Sequence, residues 1–162
     1  MVDKVLDLAI TYNGSDVKQI NHLLKVFSFA RHIGIMENCN TQLQTVIETA
    51  ALLHDIGIHE AIRKHNSSDG KWQEIEGPAV AEELLRGLNL DTVIQDRVLF
   101  LIGHHHTYTA IDNIDFQILV EADFLVNIFE AGMDQVSIGN IRKNIFKTET
   151  GIRLLEQLYM RQ

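Results

Sequence analysis

Residues 50–57 read Ala50-Ala51-Leu52-Leu53-His54-Asp55-Ile56-Gly57, an apolar run that ends on an imidazole and a carboxylate side by side. Thr41 and Gln44 fit a capping box upstream, so this run is the far half of a helix that starts near Thr41 and ends near Gly57. Ala50 and Ala51 are small enough for a partner helix to come close. No Lys or Arg stands in the neighbouring turns to pair with Asp55. A carboxylate desolvated there is expensive until a partner or a metal neutralises it. Taken alone, the dipeptide is weak evidence and reads more often as a dipole-favoured histidine beside an exposed acid.

The helical period continues in both directions, and no alternating stretch is long enough to require a strand. Toward the N-terminus, the first 12 residues form a short helix with Val5, Leu6, Ala9 and Ile10 apolar. After the break at Asn13-Gly14, Ser15 is placed to cap a helix running to about Met36, with Leu23, Val26, Phe27, Ala30 and Ile33 as its buried stripe. Toward the C-terminus, a short helix spans about His59–His65 and the polar segment Asn66–Lys71 is a loop. Pro78 suits the first turn of the next helix, which stops near Gly87. Asp91 caps another that reaches His105. Ile114–Ala131 is a long apolar helix closed by Gly132, and further helices follow, the last with Ile152, Leu155 and Leu158. The predicted fold is all-α, about eight helices in one domain.

Composition limits what such a domain does. The chain has 162 residues, 46% of them hydrophobic and 22% charged, which is enough apolar material for one core and too little charge for disorder. A single cysteine, Cys39, forms no internal disulfide, which suits a reducing cytoplasm. The acid–base opening Met1-Val2-Asp3-Lys4 is not a signal peptide, and the longest apolar stretches fall short of the ~20 residues of a membrane span. A net charge of −8 repels a polyanionic backbone, so nucleic acid is not an expected partner. Phosphorylated small molecules remain accessible where bound cations reverse the sign locally.

Asp123 repeats the difficulty of Asp55 within Phe116-Gln117-Ile118-Leu119-Val120-Glu121-Ala122-Asp123-Phe124-Leu125-Val126. Its neighbours at one and two turns, Phe116, Leu119, Val120 and Val126, are apolar, so its carboxylate points into the core. The reading as a structural acid bonded to backbone stands beside the reading as a ligand. In His104-His105-His106, His105 continues the stripe of Leu101 and Ile102 and faces inward, His106 sits one residue round, and His104 is the most solvated. His22 lies one turn before Val26 on an apolar face, where a lone histidine is usually a core residue with a satisfied ring.

Together, His22, the pair His54-Asp55, His105 and Asp123 resemble the ligand order of the HD superfamily of metal-dependent phosphohydrolases. The flanking residues His22-Leu23-Leu24-Lys25-Val26, Ala51-Leu52-Leu53-His54-Asp55-Ile56-Gly57 and Ala122-Asp123-Phe124-Leu125 match as well, and the resemblance spans roughly residues 16–130. It implies that His22, His54, Asp55 and Asp123 hold one divalent metal. Relatives with a second metal hold it with further histidines, which places His105 and His106 beside it. Glu76 stands before Gly77-Pro78 where that pattern has a histidine, and a carboxylate is a competent ligand for the same ions. Ile58 follows the motif glycine where cyclic dinucleotide phosphodiesterases of the HD-GYP type carry Lys, and no Gly-Tyr-Pro follows, which argues against that branch.

The expected activity is hydrolysis of a small phosphoester, a nucleotide among the candidates, by metal-activated water, with Asp55 and His105 in catalytic roles. The N/O ligand set accepts Mn, Fe, Co, Ni or Zn, as one ion or two. Lys25 and Arg63 are candidates for contacting substrate, against the alternative of a solvated face. A homodimer is compatible with the chain. Two rival readings share the ligands: a di-iron oxygenase of the same fold, and a metal- or nucleotide-binding sensor without turnover.

Overall fold

The computed structural model describes residues 1–160. Among them are nine α-helices and no strand: α1 (Val2–Asn13), α2 (Val17–Met36), α3 (Thr41–Leu53), α4 (Ile58–His65), α5 (Gly70–Leu85), α6 (Thr92–Ile102), α7 (Ile114–Glu130), α8 (Gln135–Asn144) and α9 (Glu149–Leu155). A 3₁₀ turn spans Tyr108–Ala110 and a π turn extends α9 over Glu156–Met160. None of these helices is long and apolar enough to cross a membrane.

The middle of the molecule is made by α2, α3 and α7, which pack on one another, with α1 against α3 and α6 against the other side of α3. The stripe expected on α2 is where the core forms: Leu23, Val26, Ala30 and Ile33 are buried, with Phe27 packed at its edge. On α7 burial goes almost all round, from Phe116 through Val126, as its apolar composition requires. The Arg97 guanidinium of α6 holds Asp115 in the first turn of α7 through two bonds of 2.7 Å. That pair ties the two helices together, and the acid sits at the favourable end of the helix dipole.

Caps set the boundaries, and several differ from the sequence reading. Asp16, not Ser15, caps α2, its carboxylate accepting from Gln19 N at 3.0 Å. Asn40, not Thr41, caps α3 by accepting from Leu43 N at 2.9 Å, and the Gln44 side chain turns instead to Arg31 O and Glu48. Asn is among the strongest N-cap residues and stands one position earlier, so the Thr41 box never forms. Pro78 is not in a first turn but deep inside α5, which begins eight residues earlier at Gly70. Proline normally breaks a helix interior, partly because the preceding residue clashes with its ring. Here that residue is Gly77, which has no Cβ to clash.

Gly77 has a second task. A Cβ on Gly57 would lie 2.6 Å from Gln73 O and 2.7 Å from Gly77 N, so the backbones of the 54–57 turn and α5 touch directly. The glycine that ends the motif has φ −76°, an ordinary right-handed value. It is required by space and not by its torsion angle. The helix expected to reach Gly57 ends at Leu53, and the one expected to reach His105 ends at Ile102. In both cases the candidate site residues lie in the turn that follows.

Candidate metal centre

Four segments converge on one point. His22 comes from the middle of α2, His54 and Asp55 from the turn after α3, His105 and His106 from the turn after α6, and Asp123 from α7. His22 Nε2 lies 3.2 Å from His54 Nε2, 3.3 Å from Asp123 Oδ1 and 3.5 Å from Asp55 Oδ2. His54 Nε2 is 3.6 Å from each of the same two carboxylate oxygens. The other oxygen of Asp55, Oδ1, is 3.3 Å from His105 Nε2. One atom each of His22, His54 and Asp123 falls within 4.8 Å of the others, and so does one each of Asp55, His105 and His106. Asp55 therefore stands between two groups and presents one oxygen to each.

The hydrogen bonds behind the rings decide what the front atoms are. His54 Nδ1 is 2.9 Å from Ala51 O and His105 Nδ1 is 2.8 Å from Ile102 O. A carbonyl only accepts, so each ring donates from Nδ1 and, when neutral, keeps its lone pair at Nε2. His22 Nδ1 donates to Glu130 Oε2 at 2.9 Å, with the same result. With the rings neutral, imidazole Nε2 atoms and carboxylate oxygens crowd the convergence point as acceptors, mostly shielded from solvent, with Gln19 and Asn127 donating to the two carboxylates. Such a set repels itself until a cation lies inside it. Nitrogen and oxygen donors of this kind suit a divalent transition metal, so the residues fit the group.

The electrostatics agree. Burial alone would lower the His54 pKa, but Asp55 and Asp123 beside it outweigh burial and push it up to about 9. Burial opposes ionisation of Asp55 and Asp123, yet the surrounding imidazoles hold both carboxyls well below the usual carboxylate range. The cluster demands positive charge, and a metal or protons supply it. His106 behaves differently: burial, with His105 next to it, pushes its pKa down to about 4, so it presents a neutral ring. That ring packs on Gly70, whose absent Cβ would be 2.5 Å from His106 Cδ2, and its Nε2 is 3.5 Å from Gln73 Oε1.

Other residues singled out in the sequence lie apart. Glu76 is buried on α5, but its oxygens are taken by Lys64 and by His65 Nε2 at 2.8 Å, and it joins neither group. The α5 residues that reach His106 are Gln73, at its ring, and Glu74, whose Oε1 accepts from His106 N at 3.0 Å. Lys25 is bound to Glu130. Arg63 is exposed and chelated by Glu60. His104, expected to be the most solvated of its run, stacks on Phe100 and bonds Phe100 O at 2.7 Å.

Three supporting residues went unread in the sequence. Gln19 Nε2 donates to Asp55 Oδ2 at 3.3 Å, Asn127 Nδ2 donates to Asp123 Oδ1 at 2.8 Å, and Glu130 receives His22. The last two carried a signal: Asp123, Asn127 and Glu130 are spaced four and three apart, one face of one helix.

A family model described as HD domain matches residues 20–133. Among solved structures, the chain is similar to a protein described as a predicted HD superfamily hydrolase from an uncultured Thermotogales bacterium, known from a 1.45 Å crystal structure. The two share 25% sequence identity with a TM-score of 0.70, over 98% of this chain and 84% of that one. No match was found among curated proteins.

Proposed function

The chain belongs to the HD domain family, and on that premise we propose that it is a metal-dependent phosphohydrolase acting on a small phosphoester, with a nucleotide as the leading substrate class. The observation that carries this reading is the pocket of acceptors formed by His22, His54, Asp55 and Asp123, with a second set beginning at Asp55 Oδ1. The neighbour's description as a hydrolase supports the reaction type. A net charge of −8 supports a substrate met through bound cations and not through a basic surface.

In this reading His22 Nε2, His54 Nε2, Asp55 Oδ2 and Asp123 Oδ1 hold the cation. When bound, a divalent ion lowers the pKa of its water from ~15.7 toward ~7 and offsets charge on the phosphoryl oxygens. The protein does the rest. Asp55 Oδ1 accepts a hydrogen bond from the attacking water and aims it. His105, its Nδ1 fixed by Ile102 O so that Nε2 faces Asp55, takes the proton and makes it available to the departing ester oxygen. Gln19 keeps Asp55 from rotating out of this position.

The test is a metal and substrate matrix on the purified full chain. Metal content is measured first, and then Mn, Fe, Co, Ni and Zn are each supplied against aryl phosphates, nucleoside mono-, di- and triphosphates and dinucleotides. Metal-dependent release of phosphate or nucleotide is expected. A metal-replete protein that hydrolyses nothing in this matrix refutes the reading, and oxygen uptake by the iron form would replace it with an oxygenase.

A further inference from the structure

We propose that Glu130 is a positioning residue for the metal centre: it holds His22 in the one tautomer and ring orientation in which Nε2 faces the cation. The inference rests on the metal site proposed above.

The three central imidazoles are not oriented in the same way. His54 and His105 both sit just past a helix end, where the last carbonyls have no helical partner. Their Nδ1 atoms use those carbonyls, Ala51 O and Ile102 O, three residues back in each case. Any sequence that ends a helix there provides such an acceptor. His22 is different because it lies inside α2, where the backbone carbonyls are committed to the helix. Its ring needs an acceptor from elsewhere, and Glu130 Oε2 supplies one at 2.9 Å from the last turn of α7. Without it, Nδ1–H loses its only protein acceptor and the proton is free to move to Nε2, where it would block coordination.

Glu130 is itself held. Its second oxygen is bound by Lys25, one turn past His22 on α2, and the Glu130 side chain is 21% exposed. Lys25, a candidate substrate contact by sequence, thus serves the far end of a Lys25–Glu130–His22 chain. A carboxylate behind a metal-binding imidazole fixes its tautomer and raises its basicity, and losing one typically weakens metal binding by about 10–100-fold. The seven-residue step from Asp123 to Glu130 lets one helix provide both a direct ligand and the support of another.

The experiment compares wild type, Glu130→Ala, Glu130→Gln and Lys25→Met by calorimetric titration of metal-free protein with Zn²⁺. Long-range ¹⁵N–¹H spectra of the metal-free proteins, at alkaline pH where the ring is neutral, report the His22 tautomer. Glu130→Ala should bind Zn²⁺ about 10–100-fold more weakly and lose the Nδ1–H signature of His22. Glu130→Gln, which keeps an oxygen in place, should retain the signature and lose less affinity. Lys25→Met should lie between Gln and wild type. Wild-type affinity in folded Glu130→Ala, or an unchanged tautomer, overturns the proposal. If Glu130→Ala does not fold, the near-isosteric Gln variant decides: affinity equal to wild type with the signature lost refutes it. A wild type that binds no Zn²⁺ refutes the metal site and this inference together. A wild type that binds Zn²⁺ but hydrolyses no phosphoester removes the hydrolase reading and leaves this one standing on affinity and tautomer.

Discussion

His22 and His54 face each other through their Nε2 atoms at 3.2 Å, and in the neutral rings both atoms carry lone pairs, because both Nδ1 atoms are engaged as donors. Two acceptors hold that distance only with positive charge between them. The metal-free protein must therefore take up protons, and its stability must depend on pH in a way the metal-loaded protein's does not.

The sign follows from His54. Its folded pKa of about 9 lies above the unfolded value of about 6.5, so the folded state holds the proton more tightly. The stability this confers is complete below pH ~6.5 and is lost as pH rises through ~9. Chelated protein should melt several degrees lower at pH 9.5 than at pH 6.5. Metal-loaded protein should lose little over the same range, because the cation replaces the proton. Thermal melts with and without chelator check this, and a chelated protein with a flat profile would contradict it.

Asp55→Ala should remove both bound metal and phosphoester hydrolysis, the latter by more than about 100-fold. Only two carboxylates, Asp55 and Asp123, compensate the cation's charge at the convergence point, and the imidazoles contribute none. Asp55 lies in a turn and not in a helix, so circular dichroism should be unchanged. Asp3→Ala, at the exposed start of α1, should alter nothing. Metal analysis and phosphate release decide between outcomes. An active, metal-replete Asp55→Ala protein would end the hydrolase mechanism, and an inactive but metal-replete one would reduce Asp55 to orienting water.

Asp123, His22 and His105 each stand on an apolar stripe, which marks them as candidates, but each alone also reads as a satisfied structural residue; the cluster was legible in the sequence because their order around His54-Asp55 resembles the ligand order of the HD superfamily. The supporting residues violate nothing. Gln19 and Gln73 look like ordinary solvated positions, and only the packing of α2 and α5 gives them an acid and a ring to touch, whereas Asn127 and Glu130 left a trace in their helical spacing from Asp123. Helix ends were misread where two rules competed: Asn40 outcompeted Thr41 as a cap, and Pro78 is tolerated because Gly77 precedes it. On α5, Gln73 and Glu74 reach His106, and Glu76 turns toward Lys64 and His65.

Gly57→Ala should destabilise the fold by about 1–3 kcal/mol and weaken metal binding with it. The new Cβ would meet Gln73 O at 2.6 Å, Gly77 N at 2.7 Å and Gly77 Cα at 2.9 Å. All three are backbone atoms inside α5, so no side chain can swing aside. The turn carrying His54 and Asp55 would have to move. Gly139→Ala is the control: it lies in α8 with nothing within 4 Å of its Cβ, and Ala there should be neutral or stabilising by up to ~1 kcal/mol. Equal melting temperatures for Gly57→Ala and wild type would show that the close approach of the two backbones is not required.

Glu121 offers the cleanest separation of stability from chemistry. It lies two residues before Asp123 on α7 but faces the other way, and it is fully buried. One oxygen accepts from Lys147 N at 2.6 Å, Thr148 N at 2.9 Å and Gln117 Nε2 at 2.7 Å, and the other accepts from the Thr148 hydroxyl. This side chain fastens the α8–α9 connection to the core, and Gly151 leaves the room it needs. Glu121→Ala would strand two backbone N–H groups and an amide, at about 1–3 kcal/mol for each donor that water does not reach. A total loss of about 2–4 kcal/mol is expected, and each kcal/mol lowers the melting temperature of a chain this size by about 2–4 °C. Glu121→Gln should lose far less, because its oxygen can keep the three donors while its amide donates to the Thr148 hydroxyl. Zn²⁺ affinity per folded molecule should stay within about twofold of wild type in both, since no bond runs from Glu121 to the metal ligands. Melting curves and titrations read the two quantities independently. Wild-type stability in Glu121→Ala would mean the connection is held by its apolar contacts alone, and a fall in affinity without unfolding would show that α7 transmits strain from Glu121 to Asp123.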